Sequence, residues 1–220
     1  LVDTGATVDA LETLASTVQG HELDAAVRWI AAGCTIRTLT SDIEKAASRV
    51  HDLVQSMKRF TFMDQRQTPE PIDLSQGLRD SVALLLHKAR KKSVGVTINV
   101  GDDVPQVRAI GSDLNQVWTN LIDNAIDAAP EAGHVEISAR REVQFVVVRV
   151  VDDGPGIAPD IRERIFDPFV TSKPVGQGTG LGLEIARRLI HRNGGDIDFV
   201  SQPGRTEFRV SLPIASEATA

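Results

Sequence analysis

Three stretches are the most informative part of this chain: Asn120-Leu-Ile-Asp-Asn124-Ala, Asp152-Asp-Gly154-Pro-Gly156 and Gly176-Gln-Gly178-Thr-Gly180-Leu-Gly182-Leu. The first supplies amide oxygens on one face of a helix, because residues four apart stack on the same face. The second supplies a carboxylate at a glycine turn, and the third supplies a run of backbone N–H groups. Together the three stretches predict a nucleotide site for magnesium, adenine and phosphates.

The asparagine stretch lies in a predicted helix over residues 113–128, where apolar residues recur at intervals of three and four. A side-chain amide oxygen is a hard, neutral ligand, which suits Mg²⁺ when waters and substrate phosphates complete its shell. The alternative is that both asparagines are caps or solvated surface residues. That alternative is weaker inside an apolar helix, because Asn is a poor helix former.

The aspartate stretch follows a valine-rich run over residues 145–151, which predicts a buried strand. A carboxylate at the end of that strand, Asp152, can accept a hydrogen bond from the exocyclic amine of adenine. Gly154 and Gly156 allow positive φ and a close approach of the backbone to the base. Asp-Gly pairs are also common in ordinary turns, so this motif alone is a weak signal.

The glycine stretch runs directly into a predicted helix over residues 183–191, so backbone N–H groups and a positive helix end meet where phosphates could sit. Its spacing matches neither the Gly-x-x-x-x-Gly-Lys-Ser/Thr loop nor the dinucleotide fingerprint. A flexible linker is the alternative. Just before it, Lys173 is a candidate contact for the terminal phosphates, although a solvated surface lysine fits the sequence nearly as well.

Five motifs in order resemble the N, G1, F, G2 and G3 boxes of sensor histidine kinases, over residues 69–213. The two boxes not yet quoted are Ile165-Phe-Asp-Pro-Phe169 and Gly204-Arg-Thr206-Glu-Phe208. The resemblance implies an α+β fold: a helical hairpin that forms a dimeric four-helix bundle, then a GHKL α/β sandwich whose mixed sheet is covered by helices on one face. Gyrase B, chaperone and mismatch-repair ATPases share that superfamily.

The resemblance also implies ATP and Mg²⁺ as cofactors, with Asn124 as the magnesium ligand. The residues it implies for nucleotide binding are Asn120, Asn124, Asp152, Gly154, Gly156, Lys173, Gly178, Thr179, Gly180, Leu181, Gly182 and Thr206. ATPases of this superfamily carry a glutamate one helical turn before the magnesium asparagine, to activate water. Here that position is Asn120, and an amide cannot accept the proton. The resemblance therefore favours transfer of the γ-phosphoryl group to a protein histidine, and then to an aspartate on a response-regulator receiver domain.

Two histidines are candidate phosphoacceptors. His21-Glu22 resembles the kinase H box, in which the acidic neighbour helps to take the imidazole proton, but the usual proline is replaced by Ala26. His51-Asp52 resembles the acceptor dipeptide of another kinase subfamily. The number of residues between His21 and Asn124 is closer to the separation typical of these kinases than that for His51, and this favours His21. A GHKL-type ATPase and a non-catalytic ATP-binding scaffold remain the alternatives, and the incomplete H box supports the scaffold.

The chain divides where Gln-Arg-Gln-Thr-Pro-Glu-Pro, residues 65–71, interrupts any helix. We predict a helical dimerisation and phosphotransfer-like domain at residues 1–66, an ATP-binding domain at 67–215 and a tail at 216–220. Before the break, apolar residues follow a 3-4 spacing without a miss, which is typical of a coiled-coil or four-helix-bundle seam and predicts a homodimer. The seam positions are Ile36, Leu39, Ile43, Ala46, Val50, Leu53, Met57 and Phe60.

Composition bounds the remaining possibilities. The 220 residues carry 24 basic and 30 acidic side chains, and the resulting net charge of −6 argues against nucleic acid as a partner. No apolar stretch approaches the ~20 residues of a membrane span, so no membrane insertion is expected. The single cysteine, Cys34, rules out an internal disulfide. Leu1 is not an initiator methionine, and we expect a cytoplasmic segment from the C-terminal part of a longer sensor protein.

Overall fold

The computed structural model describes residues 16–17, 20–62, 68–101, 103–173 and 178–215. At residue 45 and residues 48–62 the description covers the backbone alone. The chain divides into two compact units, Leu1–Arg59 and Phe60–Ala220. The predicted tail at 216–220 lies outside the described residues. The same holds for most of the region before Gly20.

A long helix, α1, spans His21–Phe62 and lies in the first unit up to Arg59. Gly20, with φ +66°, precedes it. Glu22 and Asp24 lie in the first turn, where acidic side chains stabilise a helix because its N-terminal end is positive. The predicted seam positions Ile36, Leu39 and Ile43 are 56% to 67% exposed. The side chains of the seam from Val50 onward lie outside the description.

The exposed apolar stripe on α1 begins earlier than the sequence pattern indicated. Trp29 is 80% exposed and lies seven residues before Ile36, which is itself seven before Ile43. A seven-residue interval keeps side chains on one stripe of a helix. The stripe therefore extends one heptad closer to the start of α1, with Trp29 as its largest side chain.

The second unit alternates short strands and helices. Its three helices are α2 at Leu74–Lys91, α3 at Gly111–Ala128 and α4 at Gly182–Arg192. Its strands are β1 at Glu70–Ile72, β2 at Gly95–Val100, β3 at Val107–Ala109, β4 at His134–Glu142, β5 at Phe145–Asp152, β6 at Asp196–Gln202 and β7 at Arg205–Pro213. A short 3₁₀ turn at Arg162–Arg164 lies in the long connection between β5 and α4.

Five strands form one sheet in the order β2-β4-β5-β7-β6. Strands β2 and β4 are parallel and the other neighbours are antiparallel, so the sheet is mixed. Strands β1 and β3 form a separate antiparallel pair. The central strand β5 pairs with β7 from Phe145↔Pro213 to Asp152↔Thr206. This register places Asp152 directly opposite Thr206 at the end of β5.

One hydrophobic core joins the inner face of the sheet to the three helices, as the sequence predicts for this fold class. Helix α3 lies at its centre: Val117, Trp118 and Ile122 are completely buried. The alternating inner residues of β5, among them Val146 and Val148, are equally buried. Burial of this kind stabilises the fold by about 25 cal/mol per Å² of apolar surface. The mixed sheet covered by helices on one face confirms the predicted fold class.

A buried polar network fixes the start of α3 against the end of α4. The side-chain Oδ1 of Asn193 accepts a hydrogen bond from the backbone N–H of Ile110 at 2.7 Å, and its Nδ2 donates to Asp113 at 3.1 Å. Asn193 and Asp113 are 5% and 7% exposed. A satisfied polar network of this kind makes the packing of two elements specific. It holds α4 alongside α3, and so brings the glycine stretch next to the asparagines.

No helix among the described residues combines the length and the apolar character needed to cross a membrane.

Candidate nucleotide-binding site

Asn120 links helix α3 to the start of α4. Its Nδ2 donates to the backbone carbonyl of Gly182 at 3.0 Å, and its Oδ1 accepts from Nε2 of Gln116 at 3.0 Å. Both halves of the amide are therefore engaged within the protein. Because Asn120 holds the first residue of α4, the asparagine stretch and the glycine stretch meet here, although 62 residues separate the two partners.

Asn124 lies one turn further along the same face of α3. Its Oδ1 accepts a hydrogen bond from the ammonium group of Lys173 at 3.1 Å. A Cβ atom added at Gly182 would lie 3.8 Å from both asparagine side chains, so the backbone of the glycine stretch approaches them closely. The two asparagines and the start of α4 thus line one side of a single site.

The donor set fits magnesium bound together with phosphates. The Lys173 ammonium donates a hydrogen bond to Oδ1 of Asn124, so this oxygen is accessible to a positively charged group. Among the described residues, no group of three or more His, Cys, Asp or Glu side chains could hold a metal without help. Mg²⁺ accepts few protein ligands when phosphates and waters supply the rest. Asn124 would be the protein ligand.

Asp152 ends strand β5 and is only 4% exposed. Its Oδ1 accepts a hydrogen bond from the backbone N–H of Gly154 at 3.0 Å. Burial raises the pKa of Asp152 to about 6, and the charge of Asp153 adds to this effect, while the Gly154 hydrogen bond and the charge of Lys92 oppose it. A buried acceptor with a strongly shifted pKa is typical of functional sites.

Gly154 allows the chain to turn tightly over helix α3. A Cβ atom at this position would lie 2.7 Å from the carbonyl oxygen of Ala128 and from Oδ1 of Asp152, closer than real Cβ contacts allow. Gly156, with φ +83°, follows against the main chain of Gln202. The two predicted glycines therefore bring the backbone against the end of the sheet beside Asp152.

Thr206 lies directly opposite Asp152 on the neighbouring strand β7. It is 4% exposed, and its hydroxyl is 3.0 Å from the hydroxyl of Ser201. Residues directly opposite in an antiparallel pair have adjacent side chains. The structure thus brings together two predicted site residues that are 54 positions apart in the sequence (206 − 152).

The glycine stretch is described from Gly178 onward, and Gly176 lies outside the described residues. Gly180 has φ +66°, and a Cβ atom there would collide with the backbone of Phe169, so only glycine fits. The hydroxyl of Thr179 accepts from the backbone N–H of Leu181 at 3.4 Å, and Leu181 is buried. Within the described residues, α4 has no side-chain cap. Its first N–H groups remain suited to phosphate oxygens.

Lys173 binds the acidic side of α3. Its ammonium lies 2.5 Å from Oδ2 of Asp127 and 3.1 Å from Oδ1 of Asn124. The candidate phosphate contact is therefore already at the edge of the site, and its partner Asp127 lies one helical turn after Asn124.

Asp127, Lys88 and Lys92 are not among the site residues that the sequence motifs predict. Lys88 lies 2.7 Å from Oδ1 of Asp127, and Lys92 donates to the backbone carbonyls of Ile126 and Asp127 at the end of α3. Burial raises the pKa of Asp127, but hydrogen bonds from Lys173 and Lys88 outweigh it and hold that pKa below its usual value. The sequence signal for these residues is the basic run at 87–92, together with two aspartates at helical spacing, Asp123 and Asp127.

The candidate phosphoacceptors belong to the first unit. His21 and Glu22 are exposed in the first turn of α1. His51 and Asp52 lie in the same helix, and their side chains are outside the description.

Comparisons with known proteins show a family match and related proteins. A family model described as histidine kinase-, DNA gyrase B-, and HSP90-like ATPase matches residues 109–216. The sensor kinase CckA of Brucella abortus (strain 2308) is 36% identical over 190 residues, which cover 78% of this chain and 20% of that protein. The chain therefore spans about a fifth of the length of that relative.

Solved structures show the same fold. The catalytic domain of the histidine kinase ThkA is 32% identical, with a TM-score of 0.61 over 67% of this chain and 96% of that one. ThkA in complex with the response regulator TrrA gives a TM-score of 0.62 at 22% identity over 97% of this chain and 57% of that one, which is a likeness of fold alone.

Proposed function

Because this chain belongs to the histidine kinase-, DNA gyrase B- and HSP90-like ATPase family, we propose that it is the ATP-dependent protein-histidine kinase core of a two-component system. In the proposed reaction the bond between the β-phosphate oxygen and the γ-phosphorus breaks, and a bond from that phosphorus to an imidazole nitrogen forms. The phosphoryl group then passes to an aspartate of a response-regulator receiver domain. Relatives described as sensor kinases support this proposal.

The observation that carries the choice of kinase over ATPase is the state of Asn120. Asn120 stands at the position where the family resemblance implies a water-activating glutamate in the ATPases. Its amide oxygen accepts a hydrogen bond from Gln116, and its amide nitrogen donates one to Gly182. An amide does not take a proton from water at neutral pH. Phosphoryl transfer to a positioned acceptor depends mainly on alignment and charge neutralisation, which need no such base.

Each part of the site has a proposed role. Asp152, with Thr206 beside it and Gly154 and Gly156 at the turn, would bind adenine. The backbone from Gly178 to Gly182 would bind phosphates. Asn124 would hold Mg²⁺, which would neutralise phosphate charge when bound, and Lys173 would add a positive charge at the same edge. These roles join residues from α3, the end of β5 and the start of α4 around one ligand.

We propose His21 as the acceptor, with Glu22 taking the imidazole proton, and His51 with Asp52 as the second candidate. The exposure of His21 supports this choice, because an acceptor must reach the nucleotide of a catalytic domain. The domain assignment at 1–66, 67–215 and 216–220 remains part of the proposal, as does a cytoplasmic location.

The proposed homodimer would bury the apolar stripe of α1. Trp29, Ile36, Leu39 and Ile43 are 56% to 80% exposed within one chain. Apolar residues at this spacing are typical of helices that pack against other helices. Two copies of α1 packed against each other would cover the stripe.

A steady-state phosphate-release assay separates the kinase from an ATPase. At micromolar concentrations of the chain with MgATP, we expect released phosphate to stay near the amount of chain present, because the position of the water-activating glutamate is held by Asn120, whose amide does not accept a proton. Continuous release over many turnovers would favour the ATPase. A reaction with the nucleotide omitted gives the background.

Replacing Asp152 with asparagine should weaken ATP binding roughly 10- to 150-fold and erode the preference for adenine over guanine. A charge-assisted hydrogen bond to the adenine amine is lost, and an amide can also donate a hydrogen bond. Competition calorimetry with ATP and GTP measures both effects. GTP that competes no better against the variant than against the wild type would show that Asp152 does not recognise the base.

The same substitution should raise thermal stability near pH 7. The pKa of Asp152 is raised in the folded protein to about 6 from an ordinary 3.8. Its favourable contribution to folding is therefore fully present below pH 3.8 and is lost as the pH rises through 6. The Tm advantage of Asp152→Asn should accordingly be largest at pH 7 to 8 and shrink toward pH 4. An advantage independent of pH would contradict this origin.

A further inference from the structure

Three charged side chains form a continuous chain from helix α2 to the loop before the glycine stretch. The ammonium of Lys88 lies 2.7 Å from Oδ1 of Asp127, and the ammonium of Lys173 lies 2.5 Å from Oδ2 of the same carboxylate. Lys173 also donates to Oδ1 of Asn124 at 3.1 Å. All three charged side chains are 27% to 39% exposed, so water screens these contacts only in part.

The spacing on α3 explains why a single lysine reaches both groups. Asp127 follows Asn124 by three residues, and residues three apart lie on the same face of a helix. Each oxygen of the Asp127 carboxylate binds a different ammonium group. Lys88 therefore fixes the carboxylate from one side, and the carboxylate fixes Lys173 from the other.

We infer that Asp127 is a positioning residue, which holds the ammonium of Lys173 on the amide oxygen of Asn124. This inference rests on the proposed function, because it gives Asp127 a role in binding the nucleotide. Lysine has a long, flexible side chain, and its position depends on the partners of its ammonium group. Without Asp127, the amide of Asn124 is the one hydrogen-bond partner left to the Lys173 ammonium among the described residues.

The position of Lys173 has a consequence for the nucleotide. Asn124 would give its Oδ1 to Mg²⁺, and two cations at one oxygen repel each other, so Lys173 must leave this oxygen when the metal binds. Asp127 would still keep the ammonium within one helical turn of the site. The released charge is then available to the phosphates instead of dispersing into solvent.

A double-mutant cycle tests whether Asp127 acts through Lys173. In the wild type, Asp127→Asn should weaken binding of a non-hydrolysable ATP analogue with Mg²⁺ roughly tenfold. In a Lys173→Met background the same substitution should change the affinity less than twofold. Asp127→Glu should restore part of the loss. Equal losses in both backgrounds, or no loss in either, would overturn the inference.

Asp123→Asn provides the matched control. Asp123 lies on the same helix and binds Lys88 at 2.5 Å, but within the part of the chain that the structure describes it forms no ion pair with Lys173. We expect its affinity for the analogue to stay within twofold of the wild type. A loss as large as that of Asp127→Asn would assign the effect to Lys88 and would overturn the inference.

A nucleotide-free measurement keeps this inference separate from the proposed function. In ¹⁵N NMR of lysine side chains, the Lys173 ammonium signal, assigned with Lys173→Met, should be protected from solvent exchange in the wild type and in Asp123→Asn. Asp127→Asn should remove that protection. Protection that survives in Asp127→Asn would overturn the positioning role. A wild type that shows the protected signal but binds no nucleotide would contradict the proposed function alone.

Discussion

Replacing Asn124 with alanine should abolish measurable magnesium-dependent binding of ATP without unfolding the protein. The substitution removes the amide oxygen proposed to bind the metal, and alanine improves helix propensity at a half-buried position of α3. Calorimetric titration with a non-hydrolysable ATP analogue, with and without Mg²⁺, measures the effect. Circular dichroism establishes that the fold persists.

Asn115→Ala is the matched control for this experiment. Asn115 is an exposed asparagine on the same helix, nine residues before Asn124 (124 − 115), and its side chain lies near Gly77 on α2. We expect this control to bind the analogue like the wild type. An Asn124→Ala variant with unchanged affinity in the presence of magnesium would remove Asn124 from the metal site.

Replacing His21 with glutamine should abolish the acid-labile, alkali-stable label that the chain takes from γ-labelled ATP. An imidazole nitrogen is the proposed acceptor, and glutamine keeps a polar side chain while removing that nucleophile. Glu22 lies next to it in the first turn of α1 and would receive the proton. Quantitative autoradiography after acid and alkali treatment measures the loss.

Two further histidine variants make this result specific. His87→Gln alters an exposed histidine on α2 with no proposed role and should label like the wild type. His51→Gln should keep most of the label. If His51→Gln abolishes labelling and His21→Gln does not, the acceptor is His51 and the assignment to His21 is wrong.

Helix α3 and the end of β5 could be predicted from local patterns. The three- and four-residue spacing predicts a helix over 113–128, and the structure has Gly111–Ala128. The valine run predicts a strand over 145–151, and the structure extends it by one residue, to Asp152. These predictions succeed because burial on one helix face and within a strand leaves a strong periodic signal.

The contacts across the site could not be predicted in the same way. Strand β3 has three residues, which are too few for a periodic sequence signal, and it is recognised by its pairing with β1. The placement of Thr206 opposite Asp152 depends on the register of β7, which local sequence does not specify. The ion pairs of Asp127 with Lys88 and with Lys173 join residues 39 and 46 positions apart (127 − 88 and 173 − 127). Tertiary packing brings these charged side chains together, and local sequence does not show it.

The exposed stripe on α1 illustrates the opposite case. A heptad pattern predicts that a face will be buried, but it cannot state which chain covers it. Within one chain, Ile36, Leu39 and Ile43 remain more than half exposed. The sequence pattern therefore predicts the apolar face of α1, and we propose a second copy of the chain as the partner that covers it.

Incubating the chain with γ-labelled ATP and Mg²⁺ tests directly whether it is a protein-histidine kinase. The measured quantity is label bound to the protein, followed through acid and alkali treatment, with a parallel sample that contains a metal chelator. We expect magnesium-dependent label that survives alkali and is lost in acid, at a level approaching one phosphoryl group per acceptor histidine. A chain that binds MgATP with normal affinity but takes up no label would contradict the kinase account and support a nucleotide-binding scaffold.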